Sequence, residues 1–222
     1  MRYLFSVPAL LCLILLPSKD ASRLRGQGGA SATFRFITLK DRAQLARVIA
    51  DPGISVGMKR AAVVRLSELA EELPANKKVK PSELYNPILN AMSSRRPILR
   101  ETACISLIAF SSLPGSKNLL APLGGVLGNQ KEVSSVRLAA ARALGRFSRD
   151  ADEASDQLIS ALTKEMKSGP GENIILVAVI INSMGRLRSK KGFVPLMRVI
   201  NSRFPTSCKR AAQRALENIK WK

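Results

Sequence analysis

The chain has 222 residues, with 36 Lys and Arg against 16 Asp and Glu and no histidine, which gives a formal net charge of +20. Hydrophobic residues make up 46 % and aromatic residues only 5 %, a balance that favours packed helices over an aromatic-rich β-sandwich. The lack of histidine removes the commonest general base and metal ligand. The positive charge predicts attraction to something anionic: nucleic acid, phospholipid headgroups, envelope polymers or acidic proteins.

Residues 1–22 have the form of a secretory signal peptide. Arg2 is followed by a mostly apolar run over residues 3–16, which is too short to span a membrane. Cleavage is open to several positions, as late as Ala32. We expect an exported protein, periplasmic or secreted, whose association with a membrane is only through this segment. The alternative is an uncleaved segment that anchors the chain.

Residues 23–38 are interpreted as a flexible segment followed by an N-terminal cap. The stretch 17–32 is rich in Ser, Gly and basic residues and has no apolar period. The apolar segment 33–37 is expected to cover the exposed end of a helical domain that spans residues 39–222.

That domain contains ten segments with apolar residues at helical spacing, and the segments come in pairs. The clearest is 131–147, where Val136, Ala140 and Leu144 recur every four residues. A helix with one apolar stripe needs a neighbour to bury it. The predicted helices are 41–50, 55–72, 82–93, 96–111, 116–128, 132–147, 153–167, 172–187, 190–201 and 206–220.

The second helices of the five pairs align on one mostly basic position, which we call the column. Successive members are 32 to 41 residues apart, the usual length of a two-helix repeat. The column consists of Lys59, Arg100, Arg137, Val177 and Lys209.

Two further details accompany this period. Proline recurs inside three first helices, at Pro87, Pro122 and Pro195, and Asp51-Pro52 marks a turn between paired helices. With Val136-Arg137 and Ala140 at the start of a second helix, the chain resembles the HEAT-repeat family of α-solenoids, in particular its exported bacterial-type members. The resemblance covers residues 39–220.

The resemblance implies an all-α fold, a short right-handed solenoid of about five HEAT-like helix pairs. Each pair would bury its apolar surface against its neighbours, and the second helices would line the concave face. The resemblance says little about function, because HEAT arrays serve mostly as scaffolds with many kinds of partner.

The column has two interpretations, an internal ladder or a binding surface. In HEAT proteins it usually pairs with turn residues of adjacent repeats, for which Asp51, Asn129 and Asn201 are the candidates here. We expect the ladder for the column itself. Other arginines have no acidic partner nearby in the sequence and are expected at the surface: Arg142, Arg146, Arg210 and Arg214.

Apolar residues are also expected on the exposed side of the second helices, where a patch more often binds protein than sugar or nucleic acid. Together with the arginines they form the predicted partner-binding site. Its residues are Val63, Ile105, Ile108, Arg142, Arg146, Ile181, Arg210 and Arg214.

Candidates for chemistry are few. The densest acidic cluster, Asp150 to Asp156, stands at a helix start and is interpreted as capping rather than metal binding. Cys104 and Cys208 lie three repeats apart, beyond disulfide reach, and are interpreted as buried thiols. We expect no catalytic residue, cofactor or metal, and no small-molecule substrate is implied.

We therefore expect a non-catalytic exported scaffold that holds a protein partner on the concave face. The alternative is a polyanion binder, for nucleic acid or an anionic envelope component. An enzyme on a HEAT-like frame, such as a bilin lyase or an alkylpurine DNA glycosylase, is a third reading. Such a glycosylase needs aromatic residues in its cleft, but the single tryptophan is Trp221.

Overall fold

A computed structural model describes residues 41–72, 79–168 and 173–219. These ranges contain ten α-helices and no β-strand, so the predicted all-α class is confirmed for them. The predicted signal peptide, the cap at 33–37 and Trp221 lie outside the described residues. The helices are α1 (Arg42–Ala50), α2 (Val56–Glu71), α3 (Pro81–Ala91), α4 (Pro97–Ser106), α5 (Leu120–Gly128), α6 (Ser134–Leu144), α7 (Ala151–Ser168), α8 (Ile174–Leu187), α9 (Phe193–Ile200) and α10 (Thr206–Glu217).

Each predicted helical segment overlaps one of these helices, and the differences are at the ends: α3 begins one residue before its predicted segment, and α7 extends beyond its predicted segment at both ends. Four 3₁₀ segments adjoin the α-helices: Leu107–Phe110 after α4, Ser116–Leu119 before α5, Ser148–Asp150 before α7 and Lys190–Gly192 before α9.

Prolines explain why α5 and α9 begin later than their predicted segments. Pro122 and Pro195 are each the third residue of their helix, α5 and α9. A proline in the first turn costs no hydrogen bond, because the first N–H groups of a helix have no partner within it. Pro87 differs, since it lies inside α3 and removes one bond of that helix.

Side chains and prolines define several helix starts. Asp41 caps α1 by accepting from the N–H groups of Ala43 and Gln44, at 3.0 and 3.3 Å. The hydroxyl of Ser55 accepts from the N–H of Met58 at the start of α2. Helices α3 and α4 begin instead with proline at the first position, where the fixed φ suits a helix.

The helices pack in two layers. Each odd-numbered helix contacts the even-numbered helix that follows it, and the even-numbered helices contact one another in chain order. We call the even-numbered helices the second helices. In the other layer α1 packs on α3 and α5 on α7. One continuous apolar core runs between the layers, with Leu45, Leu66, Leu84 and Leu144 fully buried in it.

The last three second helices approach one another closely through glycine. A Cβ added to Gly145, the residue directly after α6, would lie 2.6 Å from the Cβ of Ser183 on α8, and one added to Gly185 would lie 2.9 Å from that of Ala215 on α10. Small residues at these positions let the helix backbones meet. The same contacts fix the register of α6, α8 and α10.

Candidate partner-binding surface

Two members of the column form internal ion pairs with the following helix pair. The guanidinium of Arg100 donates to both carboxylate oxygens of Glu132, with Nε–Oε2 at 2.8 Å and Nη2–Oε1 at 2.6 Å. Its Nη1 also donates to the backbone oxygen of Ser94, at 2.6 Å. Donation by Arg100 holds the pKa of the Glu132 carboxyl below its ordinary value, although partial burial opposes this.

Arg137 makes the corresponding pair one repeat later, and this pair is buried. Its Nη2 lies 2.5 Å from Oε1 of Glu165, and both side chains are 3 % exposed. Nε of Arg137 donates to the backbone oxygen of Leu127, and Asn173 donates to the second oxygen of Glu165. The ladder interpretation therefore applies to Arg100 and Arg137.

The acceptors expected for that ladder are wrong. Asp51 accepts from the N–H of Gly53, and Asn129 accepts from the N–H of Lys131, so both serve their own turns. Among the described residues, the side chain of Asn201 has no bond to the column. The acceptors that the structure shows, Glu132 and Glu165, belong to the helix pair that follows each arginine along the chain.

The acidic cluster at the start of α7 joins neighbouring pairs. Ser116 and Lys117 of the preceding pair donate to Asp150 and Glu153, each at 2.6 Å. In the following pair, Ser189 donates to Asp152 and Lys191 to Asp156, at 2.6 and 2.7 Å. Donation by Lys117, and also by the N–H of Glu153 itself in the first turn of α7, lowers the pKa of the Glu153 carboxyl. Asp152 and Glu153 both lie in that first turn, where acids complement the helix dipole as the capping interpretation expects. Within the described ranges no cluster could hold a metal ion.

Five residues after each column position, the second helices present a row of side chains that are all exposed. We call it the exposed row. It changes from apolar in the first two pairs to basic in the third and fifth. The row consists of Val64, Ile105, Arg142, Asn182 and Arg214.

Arginines surround the basic half of this row. Gly145 meets Ser183 and Gly185 meets Ala215, so the segments of α6, α8 and α10 that carry the arginines lie side by side. Helices α6, α8 and α10 contain a single acid, Glu217. Within the described residues, the guanidinium groups of these arginines make no hydrogen bond or ion pair. The arginines are Arg142, Arg146, Arg186, Arg210 and Arg214.

The apolar half lies on α2 and α4. Ile98 and Ile105 are each 47 % exposed and stand two helical turns apart on α4, and Val64 of α2 is 41 % exposed. Nε of Arg60 donates to the hydroxyl of Thr102 across these two helices, at 3.0 Å. Val64 stands one turn after Arg60, and Ile98 and Ile105 stand about one turn before and after Thr102, so the bond brings the helix segments that carry the three apolar side chains side by side on one surface. We call it the apolar patch.

Two predicted site residues are not on this surface. Val63 and Ile181 are completely buried, and the expectation that they are exposed is wrong. Both stand four residues after the column, as do Cys104 and Ala141, and this row is buried in the first four pairs. Of the remaining predicted residues, Ile105 and the four arginines are exposed, and Ile108 is half-buried.

The interpretation of Cys104 and Cys208 as buried free thiols is confirmed. Burial raises the pKa of the Cys104 thiol to about 12, with the Glu132 charge adding to the effect. Burial also raises the pKa of the Cys208 thiol. Both thiols are protonated at neutral pH and are poor nucleophiles.

Sequence reasoning missed Ile98 and Arg186. Each has a signal in the sequence: Ile98 precedes Ile105 by seven residues, and Arg186 follows Arg146 by the 40 residues of one repeat. The chain matches no protein-family model and no curated protein. None of the described helices is long and apolar enough to cross a membrane.

Proposed function

We propose that the chain is an exported, non-catalytic scaffold, a short right-handed solenoid of about five HEAT-like pairs that holds a protein partner on its second helices. The chain-order packing of the even-numbered helices and the forward ion pairs of Arg100 and Arg137 support the repeat interpretation. Neither feature indicates what the protein binds, so the kind of partner is inferred from the exposed surface.

One observation carries the choice of a protein partner. The apolar patch of Val64, Ile98 and Ile105 shares the face of the second helices with five arginines whose guanidinium groups make no hydrogen bond or ion pair within the described residues. A protein segment with both apolar and acidic side chains would contact the apolar patch and the arginines at the same time. Buried apolar anchors provide most of the binding free energy in such an interface, while exposed charges set the on-rate and the salt dependence.

The arginines also favour a second candidate, a polyanion binder. A nucleic acid or an anionic envelope polymer would contact the basic half and release counterions, so its affinity would fall steeply with salt. Such a ligand gains little from the apolar patch. The two candidates therefore differ in which half of the surface matters.

A quantitative pull-down from an envelope extract at about 0.05 and about 0.5 M salt compares four forms of the chain. They are the unaltered chain, Ile105→Asp, the double variant Arg142→Ala with Arg214→Ala, and Arg198→Ala. Arg198 is an exposed arginine of α9, in the other layer, so Arg198→Ala reports the effect of losing one positive charge, half the loss in the double variant.

For a protein partner, Ile105→Asp lowers capture by about tenfold or more and the double arginine variant by only a few fold. A polyanion reverses this order and flattens the salt dependence in the arginine variant. If Arg198→Ala has the same effect as the double variant, or if no variant changes capture while circular dichroism is unaltered, the surface is wrongly assigned.

A further inference from the structure

A pocket of about 510 Å³ lies between the first two helix pairs. The last turns of α1 and α3 and the first turns of α2 and α4 form it, so it is separate from the exposed row. Its polar lining has two cations, one amide and two hydroxyl groups, and contains no carboxylate. These polar residues are Arg47, Lys59, Asn90, Ser93 and Ser94.

The junction between the second and third helix pairs contains an acid that this pocket lacks. There the column residue Arg100 meets Glu132, which stands five residues before the next column residue, Arg137. At the first junction the column residue is Lys59, and the position equivalent to Glu132 is occupied by Arg95. A cation therefore stands where the following junction has its acid.

The cations of the pocket have no partner within the part of the chain that the structure describes. Neither Lys59 nor Arg47 makes a side-chain hydrogen bond or ion pair there. The nearest turn carboxylate in the sequence, Asp51, accepts from the N–H of Gly53. Lys59 is half-buried, so an anion beside it would be partly shielded from water, where an ion pair is stronger than at an open surface.

The wall of the pocket is held in place by the ladder itself. Arg100 donates to the backbone oxygen of Ser94 at 2.6 Å, and the Ser94 hydroxyl accepts from the N–H of Arg96. This fixes the turn that carries Ser93 and Ser94. The other walls are apolar and include Ile49, Pro87 and Leu99.

We propose that this pocket binds a small organic monocarboxylate, whose carboxylate takes the place of the missing acid beside Lys59. Its apolar chain lies against Ile49, Pro87 and Leu99. The volume falls within the range of small-molecule sites, which is about 300–1,000 Å³. A carboxylate is favoured over a phosphate, because the equivalent junction uses one carboxylate and the walls suit a ligand with an apolar body.

Titration calorimetry with hexanoate tests the proposal, with hexanamide and inorganic phosphate as probes of charge and of anion type. Lys59→Met and Arg47→Met remove the cations, and Arg95→Glu supplies a carboxylate from the chain. Lys209→Met is the matched control, since Lys209 stands in the same column but belongs to the last pair, with no further described pair after it.

Hexanoate is expected to bind, and each of Lys59→Met, Arg47→Met and Arg95→Glu should lower its affinity by about tenfold or more. Lys209→Met should bind like the unaltered chain. Arg47 and Arg95 are exposed, so these two variants remain informative if Lys59→Met does not fold. Absence of hexanoate binding, equal binding of hexanamide or phosphate, or an equal loss in Lys209→Met overturns the proposal.

Discussion

Arg137 and Glu165 form an ion pair of 2.5 Å in the interior of the described part of the chain, between the third and fourth helix pairs. Each side chain is 3 % exposed, Nε of Arg137 donates to the backbone oxygen of Leu127, and Asn173 donates to Oε2 of Glu165. The pair therefore joins two repeats at a position from which water is excluded.

Arg137→Met is expected to destabilise the fold by about 3–5 kcal/mol, because it leaves the carboxylate of Glu165 buried without its cation. Urea denaturation followed by circular dichroism measures the loss. Arg142→Met removes an exposed arginine from the same helix and should change stability by less than about 0.5 kcal/mol. Equal losses in the two variants would mean that the pair does not join the repeats.

The pair of Arg100 and Glu132 predicts a dependence of stability on pH. The pKa of Glu132 is lowered in the folded chain, so its contribution is complete above the ordinary value of 4.5 and disappears as pH falls through the lower folded value. Glu132→Gln should therefore lose stability at pH 7 and show a shallower acid limb. Identical acid limbs in the two proteins would contradict the pairing.

Gly145→Ala tests the close approach of α6 and α8. The added methyl would lie 2.6 Å from Cβ and 2.9 Å from Cα of Ser183, so the backbone of one helix has to move, at a cost of about 1–3 kcal/mol. The control is Gly125→Ala in α5, where a Cβ meets nothing within 4 Å. That change should stabilise the helix by about 0.5–1 kcal/mol, and a loss there would weaken the steric explanation.

The positions of the helices could be predicted from the sequence, because each repeat shows the same apolar spacing and the prolines and turns interrupt it. The ion pairs could not be predicted in full. Arg100 and Glu132 are 32 residues apart in the chain, and their meeting depends on how one pair stacks on the next. The sequence places a cation, Arg100, at this position, and only the packing of the helix pairs identifies the acid that pairs with it.

The exposed surface of the second helices could be predicted from the sequence to within one residue along each helix. Val63 and Ile181 stand beside the exposed row, and adjacent residues on a helix differ by about 100° in direction. On α8, where apolar residues occupy most positions, the pattern does not distinguish the side that faces α6 from the side that faces solvent. On α6 and α10 the arginines make the distinction, and their predicted exposure is confirmed.

The end of α8 carries a local strain that can be relieved. Arg188 has φ of 56° and is, apart from glycine, the only described residue with a positive φ. A left-handed conformation costs a residue with Cβ about 1–2 kcal/mol, whereas glycine adopts it freely and is the usual residue after a helix. Arg188→Gly should therefore raise the free energy of unfolding by about 1 kcal/mol.

The same substitution two residues earlier provides the control. Arg186 is exposed within α8 and has ordinary helical geometry, so Arg186→Gly should lower the free energy of unfolding by about 1 kcal/mol. Both variants lose one arginine from the same end of the helix, which cancels the effect of net charge. Urea denaturation of the two proteins should give changes of opposite sign. If both are destabilised equally, the conformation assigned to Arg188 is wrong.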